Sequence, residues 1–247
     1  MVSISIGSSI LRHIESSWSP DHLLDRDYTL HNTVVWSPRS AQRKEVASPL
    51  SFDADVALTP AVGIIVTTLL KAKQKPLPNS QDLPQIRERI VQVSKKYETL
   101  FVLVSSSHTS GESMGNLSAS DIAAYTDFVG FTIALQSGVT TYFVPGADAT
   151  LAKWILALMC RFSPHSISLC RFLNAAESTW EIFFRRTGMN VVAAQVLSGI
   201  LFEQAGNEGL VRFVALSLQE RLSAFSQLLG GQKALVNVSK VLDGGWN

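Results

Sequence analysis

The sequence predicts an α/β fold, in which a three-layer domain with a mainly parallel sheet is followed by an all-α domain. Short β-branched runs alternate with amphipathic helical patterns between residues 55 and 162, and this alternation is typical of parallel strands joined by helices. Beyond residue 166 only helical patterns and turns follow. We therefore expect an N-terminal segment of uncertain order over residues 1–30, an α/β domain over 31–162 and an all-α domain over 167–247.

The composition is that of a globular chain. Apolar residues make up 46% of the 247 residues and charged residues 17%, so a sizeable core can form. The formal net charge of +1 is too small to attract nucleic acid or membranes to the protein as a whole. Any such binding must therefore come from a local charged patch. The sequence shows no secretory signal, and its apolar stretches fall short of the ~20 residues that span a bilayer. We expect a soluble intracellular protein without a membrane partner.

The two cysteines, Cys160 and Cys170, lie in apolar stretches of the sequence. The sequence contains no Cys-x-x-Cys pair and no Cys/His cluster, so we expect no structural zinc site. Free cysteine is among the most buried residue types, and we expect both thiols to be buried and reduced.

The first half of the α/β domain contains three predicted strands. Residues 33–38 form a β-branched and aromatic run, and the polar residues 39–49 after it are predicted to be a loop. Residues 54–60 alternate in polarity, and residues 63–70 predict a buried strand that leads into a helix. Two prolines and three lysines in residues 71–80 predict a linker.

Helices and strands continue to alternate in the second half of this domain, and helices alone follow it. The predicted elements are a helix within 82–99, a strand over 100–104, a helix over 119–135, a strand over 139–145 and a helix over 147–162. In the all-α domain, helices are predicted over residues 168–176, 178–185, 190–204, 208–214, 218–228 and 231–242.

A first candidate site is "GESMG", residues 111–115, which matches the Gly-x-Ser-x-Gly pattern of hydrolase nucleophiles. That pattern requires the serine on a sharp turn from a strand directly into a helix. Here a six-residue polar loop separates the strand from the motif. A catalytic triad would have to combine Ser113 with Asp148 and His165, which is a cramped spacing. We favour a chance match.

A second candidate is the acidic pair Asp53 and Asp55, which lie two residues apart on a predicted strand and would therefore point the same way. Paired carboxylates can bind a divalent metal, but a metal-dependent phosphodiesterase also needs further carboxylates and a cation. Residues 63–68 after the pair carry no charge. We favour two solvated acids at a strand edge.

A third candidate lies in the all-α domain, where residues 183–197 and 225–242 both read as helix, glycine turn and helix. Two such units fit a tandem helix-hairpin-helix. Glycine lets backbone amides approach a phosphate, the following helix N-terminus adds donors, and nearby cations add charge. An ordinary glycine C-cap at each helix end is the alternative. The predicted DNA-binding residues are Arg185, Arg186, Gly188, Asn190, Gly230, Gly231 and Lys233.

With these motifs, the chain from about residue 50 to 247 resembles the nuclease-plus-hairpin module of the XPF family, which comprises structure-specific DNA endonucleases and their inactive partners. "ADVALTP", "IRERIVQVSKKYETLFVLV" and "YFVPGADATLAKWI" are similar to parts of the family's nuclease domain. "FFRRTGMNVVAAQVL" and "LVRFVALSLQERLSAFSQLLGGQKAL" are similar to its two hairpin units. The resemblance implies a restriction-endonuclease-like nuclease fold followed by a tandem helix-hairpin-helix domain.

The sequence departs from the family at the catalytic residues. Active members carry a Gly-Asp pair and then a Glu-Arg-Lys cluster. Here Ala54 replaces the glycine, Asp55 is kept, and Ile65, Val66 and Thr67 stand where the cluster would be. The resemblance therefore implies a degenerate pseudonuclease with no metal and no cofactor. It also implies pairing with another XPF-like subunit as a heterodimer, binding to branched DNA, and a nuclear, chromosome-associated location.

Two kinds of pseudonuclease fit this pattern. The amino-acid sequences of the acidic segment and of the first hairpin are most similar to those of the XPF-like subunits of the meiotic crossover-promoting (ZMM, synapsis-initiation) complex. The alternative is the small partner associated with the Fanconi-anaemia core, which acts in DNA repair at stalled forks. A protein-interaction scaffold without DNA contact, built on Trp180, Phe183 and Phe184, is a further alternative.

Overall fold

The computed structural model describes residues 1–3, 6–18, 23–36, 43–46, 48–75, 83–106, 117–135 and 138–244. The strands are β1 (Val2–Ser3), β2 (Asp25–Arg26), β3 (Thr33–Trp36), β4 (Arg43–Val46), β5 (Val56–Ala57), β6 (Val62–Thr68), β7 (Thr99–Ser105) and β8 (Val139–Val144). The helices are α1 (Ser8–Glu15), α2 (Leu69–Ala72), α3 (Gln85–Ser94), α4 (Ala119–Ala134), α5 (Asp148–Phe162), α6 (Thr179–Arg186), α7 (Val191–Ala205), α8 (Gly209–Ala215), α9 (Leu218–Leu229) and α10 (Lys233–Asp243).

Six of these strands form one mixed sheet in the order β2-β1-β5-β6-β7-β8. The three long strands β6, β7 and β8 run parallel, and β5 and β1 extend the sheet through antiparallel pairing. Ile64 of β6 is buried on one face of the sheet, while Ile65 beside it is buried on the other. Because both faces are covered at β6 and β7, these two strands are mainly apolar in sequence, and this explains why the sequence predicts them.

The two faces of the sheet carry different layers. Helix α1 packs on α5 over one face, where Ile10, Ile14 and Ile155 share a core with the sheet. The other face carries α2, α3 and α4 together with the all-α domain. Its buried apolar cluster runs without interruption from Val102 of β7 to Val192 of α7, so the sheet and the helical domain share one core.

The described residues confirm most predicted elements and correct three. Residues 39–49 are predicted to be a loop, but β4 lies within them and pairs antiparallel with β3. The helix predicted over 168–176 is a 3₁₀ helix over Ser163–Phe172. The linker prediction over 71–80 fails at its start, because α2 extends through Ala72, and its residues 76–80 lie outside the described part of the chain.

The prediction of two buried thiols is wrong, because Cys160 and Cys170 are both exposed. Each follows a residue that is buried, Met159 on α5 and Leu169 on the 3₁₀ helix. The rotation of about 100° per residue on the α-helix and about 120° on the 3₁₀ helix turns the next side chain outward. Apolar surroundings in the sequence therefore did not determine which way the thiols point.

Within the described residues, the structure contains no helix that is both long enough and apolar enough to cross a membrane.

Candidate nucleic-acid interface

Asp55 lies immediately before β5 and is bound by an arginine of α3. Arg89 donates from Nη2 to Oδ1 of Asp55 at 2.7 Å and from Nη1 to Oδ2 at 3.3 Å. The amide of Val66 donates to the same Oδ2 at 2.7 Å. Asp55 is only 4% exposed, so its charge is compensated by a bidentate guanidinium and not by solvent. The prediction of a solvated acid is therefore wrong at this position.

Asp53 is fully buried, and its carboxylate has partners different from those of Asp55. Its Oδ1 accepts hydrogen bonds from the Tyr97 hydroxyl at 2.6 Å and from the Ala54 amide at 2.8 Å. Its Oδ2 accepts from the amide of Val191, the first residue of α7, at 3.0 Å. Both acids lie before β5, so the prediction that they lie on one strand is wrong. Each carboxylate is bound by protein donors, so the prediction that the two acids are solvated is also wrong.

The buried carboxylate of Asp53 perturbs the groups around it. Burial, and then the charge of Asp53, raise the pKa of Tyr97 well above its ordinary value of 10.0. Burial lowers the pKa of Lys96 from 10.5, while the charge of Asp53 opposes that shift. The Lys96 ammonium group donates to the carbonyl oxygen of Phe52. The acidic pair thus belongs to a hydrogen-bonded network in the protein interior.

The positions predicted for a catalytic cluster lie on β6 beside Asp55. Ile65 is fully buried in the core, and Thr67 is 2% exposed. Val66 is partly buried against the apolar cluster on the opposite face of the sheet. In the part of the chain that the structure describes, no group of three or more His, Cys, Asp or Glu side chains is arranged to hold a metal ion.

The first predicted hairpin has the expected layout. Helix α6 ends at Arg186, Gly188 follows with a φ of +101°, and α7 begins at Val191. A φ in this range is strained for residues other than glycine. Asn190 caps α7, because its Oδ1 accepts from the Ala193 amide at 2.9 Å.

Two polar side chains of this hairpin, Arg185 and Asn190, point inward toward the α/β domain. The Asn190 amide group donates to the carbonyl oxygens of Pro60 at 2.7 Å and Lys96 at 2.9 Å. The guanidinium of Arg185 is buried and donates to the carbonyl oxygen of Leu50 at 2.8 Å. Neither Arg185 nor Asn190 is placed to reach a DNA backbone in this structure.

Arg185 is also part of a buried ionic network. It pairs with Glu177 and lies 3.6 Å from Oε1 of Glu181. Arg26 donates to Oε2 of Glu181 at 3.0 Å, and His31 lies 2.8 Å from Oε2 of Glu177. The arginine predicted to hold phosphates therefore joins the segment around residues 26–31 to α6.

The second predicted hairpin also has the expected layout, and its turn also binds a carboxylate of the same chain. Gly230 ends α9 with a left-handed φ of +69°. The amides of Gln232 and Lys233 both donate to Oε1 of Glu98 at 2.6 Å. A Cβ on Gly231 would lie 2.2 Å from Cγ of Glu98, so a larger residue there would displace the Glu98 side chain. An anion at a helix N-terminus is the expected occupant, and here Glu98 supplies it.

Lys233 is engaged at the same contact. Its ammonium group donates to the carbonyl oxygen of Tyr97 at 2.8 Å. Burial lowers the pKa of Lys233 from 10.5, and the charge of Glu98 acts in the opposite direction. Of the seven predicted DNA-binding residues, Arg186 and Gly230 are the two that the structure leaves exposed.

The hydrolase pattern of residues 111–115, including Ser113, lies outside the described residues, as does the side chain of His165. Asp148 begins α5. The chance match remains the prediction for this motif.

Sequence reasoning missed the residues that complete these contacts. Arg89, Tyr97 and Glu98 lie on α3 and in the turn that leads to β7. In the sequence, Arg89 reads as an ordinary charge on the solvated face of an amphipathic helix. The one available signal was position: Arg89 directly precedes the buried Ile90, and so lies at the margin of the apolar stripe.

The chain is similar to two family models and to solved structures. A family model described as "Domain of unknown function (DUF7102)" matches residues 1–169, and a "SAM-like domain" model matches residues 174–242. No curated protein matches the chain. Among solved structures, the chain is similar to XPF from Aeropyrum pernix, with a TM-score of 0.40 and 16% sequence identity, over 100% of this chain and 98% of that one.

Proposed function

The chain belongs to the DUF7102 family, and we propose that it is a non-catalytic, XPF-like subunit that binds branched DNA as part of a heterodimer with another XPF-like chain in the nucleus. The observation that supports this proposal most directly is the bidentate pairing of Arg89 with Asp55. It places a protein cation on the one acid that the XPF-like pattern retains.

Metal-dependent phosphodiester cleavage needs several carboxylates around the ion and a positive charge on the reacting phosphate. In this chain Asp55 is bound by Arg89 and by the Val66 amide, and Ile65 is packed into the core. A metal at Asp55 would have to displace the guanidinium. These contacts support a subunit that does not cut DNA.

The DNA part of the proposal is supported by the tandem hairpin layout and by the resemblance of its sequence to XPF-like hairpin units. The segment 161–247 carries eight Lys and Arg against six Asp and Glu. With so small an excess of positive charge, we expect modest affinity from this chain alone and stronger binding with a partner subunit. The meiotic crossover role remains our preferred biological setting, because the resemblance was most specific there.

Co-expression with candidate XPF-like partners tests the proposal. The purified heterodimer is incubated with Holliday-junction, fork and duplex DNA of matched sequence, and both binding and cleavage are measured in Mg²⁺ and in Mn²⁺. We expect preferential binding to branched DNA and no cleavage attributable to this chain. Metal-dependent cleavage that disappears on Asp55→Asn would contradict the non-catalytic assignment. Equal affinity for all three DNAs with every partner would contradict the junction-binding role.

Capture of partners from meiotic and from mitotic cells tests the biological setting. An XPF-like partner recovered from meiotic cells supports the crossover role. A translocase recovered from cells with stalled forks would instead support the Fanconi-type repair role.

A protein-interaction scaffold without DNA contact is the second candidate, and one observation favours it. In both hairpins, amides at the N-terminus of the second helix donate hydrogen bonds to carboxylates of the same chain, Asp53 and Glu98. The apolar residues first proposed for such an interface need correction, because Phe184 is fully buried and Trp180 and Phe183 are partly buried. Phe202 and Val211, which are 59% and 71% exposed, are better placed. Normal partner binding with no DNA binding at any salt concentration would favour this candidate.

A further inference from the structure

We infer that this chain contacts the sugar–phosphate backbone of DNA through a basic groove between its two domains, and not through the amides of its hairpin turns. Lys95, Arg186 and Lys240 provide the charges of this groove. The inference rests on the proposed function, because that function identifies the ligand as DNA, and it names the site that the hairpin residues do not provide.

Three separate elements build the basic groove. Lys95 is the C-cap of α3, Arg186 is the last residue of α6, and Lys240 lies in the last turn of α10. All three side chains are exposed. The groove encloses about 490 Å³, and no Asp or Glu is among the described residues that line it. The charged residues that line it are therefore all cations.

The floor of the basic groove is held by contacts between the domains. Nδ2 of Asn237 on α10 donates to the carbonyl oxygen of Lys95 at 2.6 Å. Gly188 packs so closely on Asn237 that a Cβ at position 188 would lie 3.2 Å from Cβ of Asn237. Within the α/β domain, Lys96, which also lines the groove, donates to the carbonyl oxygen of Phe52. Because these contacts hold α3, the first hairpin turn and α10 together, the backbone positions that carry the three cations are set before any ligand binds.

The cations of the basic groove have no acidic partner among the described residues, whereas two arginines elsewhere on the surface do. Arg171 pairs with Glu203, and Arg212 pairs with Glu208. By contrast, no side-chain hydrogen bond or ion pair is found for Arg186 or Lys240 among the described residues, and the Lys95 ammonium group contacts only Oε1 of Gln92 at 3.4 Å. Like charges gathered without acids create a local positive potential that an anionic ligand would neutralise.

The shape favours an extended polyanion over a small one. A single phosphate can be held by one or two cations, whereas these three stand on three elements around a groove of about 490 Å³. A nucleic-acid strand presents successive phosphates that separate cations can meet, and such contacts position a protein without reading sequence. The polar side chains of Gln92 and Asn237 add potential hydrogen-bond groups along the same groove.

Salt-dependent DNA binding by the full chain tests the inference. Fluorescence anisotropy is measured with labelled single-stranded and duplex DNA of one sequence, for the wild type and for the triple variant Lys95→Ala, Arg186→Ala, Lys240→Ala. Each phosphate contact contributes about 0.9 to the slope of log affinity against log salt concentration on duplex DNA, and about 0.7 on a single strand. With three such contacts, a fourfold rise in salt should weaken duplex binding about 40-fold. We expect the triple variant to lose that part of the slope on whichever DNA the chain binds.

Two matched variants control for charge and folding. Lys153→Ala removes an exposed lysine of α5, outside the basic groove, and should leave the slope unchanged. The triple variant Lys95→Arg, Arg186→Lys, Lys240→Arg keeps every charge and should retain the wild-type slope.

The outcomes also separate this inference from the proposed function. If the heterodimer binds branched DNA but the triple alanine variant keeps the wild-type slope, the basic groove is not the DNA contact and the proposed function stands. If the wild-type chain and the heterodimer bind no DNA at any salt concentration, both are overturned. If the triple alanine variant loses its protein partner while DNA binding is unchanged, the groove receives an acidic protein segment and the inference is wrong.

Discussion

The carboxylate of Asp53 accepts a hydrogen bond from the backbone amide of Val191 at 3.0 Å, although the two residues are 138 positions apart in the chain. The first amides of a helix have no intrahelical acceptor, and the helix dipole favours a negative charge beside them. An acid from the segment that resembles a nuclease site therefore connects the α/β domain to the first hairpin.

We expect Asp53→Ala to lower the free energy of unfolding by about 3 kcal/mol. The change leaves the Tyr97 hydroxyl and the amides of Ala54 and Val191 without this buried acceptor, and each unsatisfied buried group costs about 1–3 kcal/mol. Urea unfolding measures the effect as a lower midpoint at unchanged slope. As a control, Tyr97→Phe removes only one donor and should cost about 1 kcal/mol. Equal stability of Asp53→Ala and wild type would show that this contact does not hold the domains.

Arg89→Met should lower the free energy of unfolding by about 2 kcal/mol. It leaves the Asp55 charge, which is 4% exposed, with the Val66 amide as its one remaining donor among the described residues. Breaking a fully buried pair costs about 3–5 kcal/mol, and the smaller value allows for solvent screening because the Arg89 side chain is 26% exposed.

A double-mutant cycle isolates the Arg89–Asp55 pair. Asp55→Asn should cost less in the Arg89→Met background than in the wild type, since the unpaired charge is then removed together with its penalty. Additive costs would mean that the two side chains do not stabilise each other.

The stability of the chain should depend on pH through Glu177. Burial acts to raise the pKa of Glu177, but hydrogen bonding to His31 and the charge of Arg185 outweigh it and hold the pKa below the ordinary 4.5. A carboxyl group whose pKa is lowered by folding stabilises the fold above its unfolded pKa, and that stabilisation is lost as the pH falls through the folded pKa. The destabilisation caused by Glu177→Gln should therefore be largest above pH 4.5 and shrink below it.

Urea unfolding of Glu177→Gln and wild type at a series of acidic pH values measures this dependence. Glu203→Gln is the matched control, because Glu203 pairs with Arg171 on the surface, where their side chains are 55% and 64% exposed, and such pairs contribute little. A difference between Glu177→Gln and wild type that stays constant as the pH falls would contradict the assignment.

Local patterns in the sequence were enough to find most of the fold. The uninterrupted apolar run of β7 and the glycine spacing of the two hairpins identified those elements, because burial on both faces and left-handed turns leave direct traces in residue type. Strand β4 was missed because its residues Arg43, Lys44 and Glu45 are charged, and charged residues in a row carry no apolar signal for a strand.

The direction that each hairpin turn faces could not be predicted in the same way. Whether Asn190 points at solvent or at Pro60 depends on a contact between residues 130 positions apart, and periodicity reports only nearby positions. The pattern of glycines and cations is the same for a turn that binds DNA phosphates and for one that binds Glu98. The structure separates the two cases, because it shows which anion the amides hold.

The contact between Glu98 and Gly231 can be tested by a coupled pair of substitutions. Gly231→Ala should be destabilising in the wild type, because the new Cβ would lie 2.2–2.5 Å from Cγ, Oε1 and Cδ of Glu98. In a Glu98→Ala background the clashing atoms are gone, so Gly231→Ala should cost at least about 1 kcal/mol less. Amide hydrogen exchange at Gln232 and Lys233 provides a second measurement, since Glu98→Ala removes the acceptor of both amides and should speed their exchange. If Gly231→Ala costs the same in both backgrounds and the two amides exchange at the wild-type rate in Glu98→Ala, then Glu98 does not occupy the second hairpin turn in solution, and those amides are open to a phosphate after all.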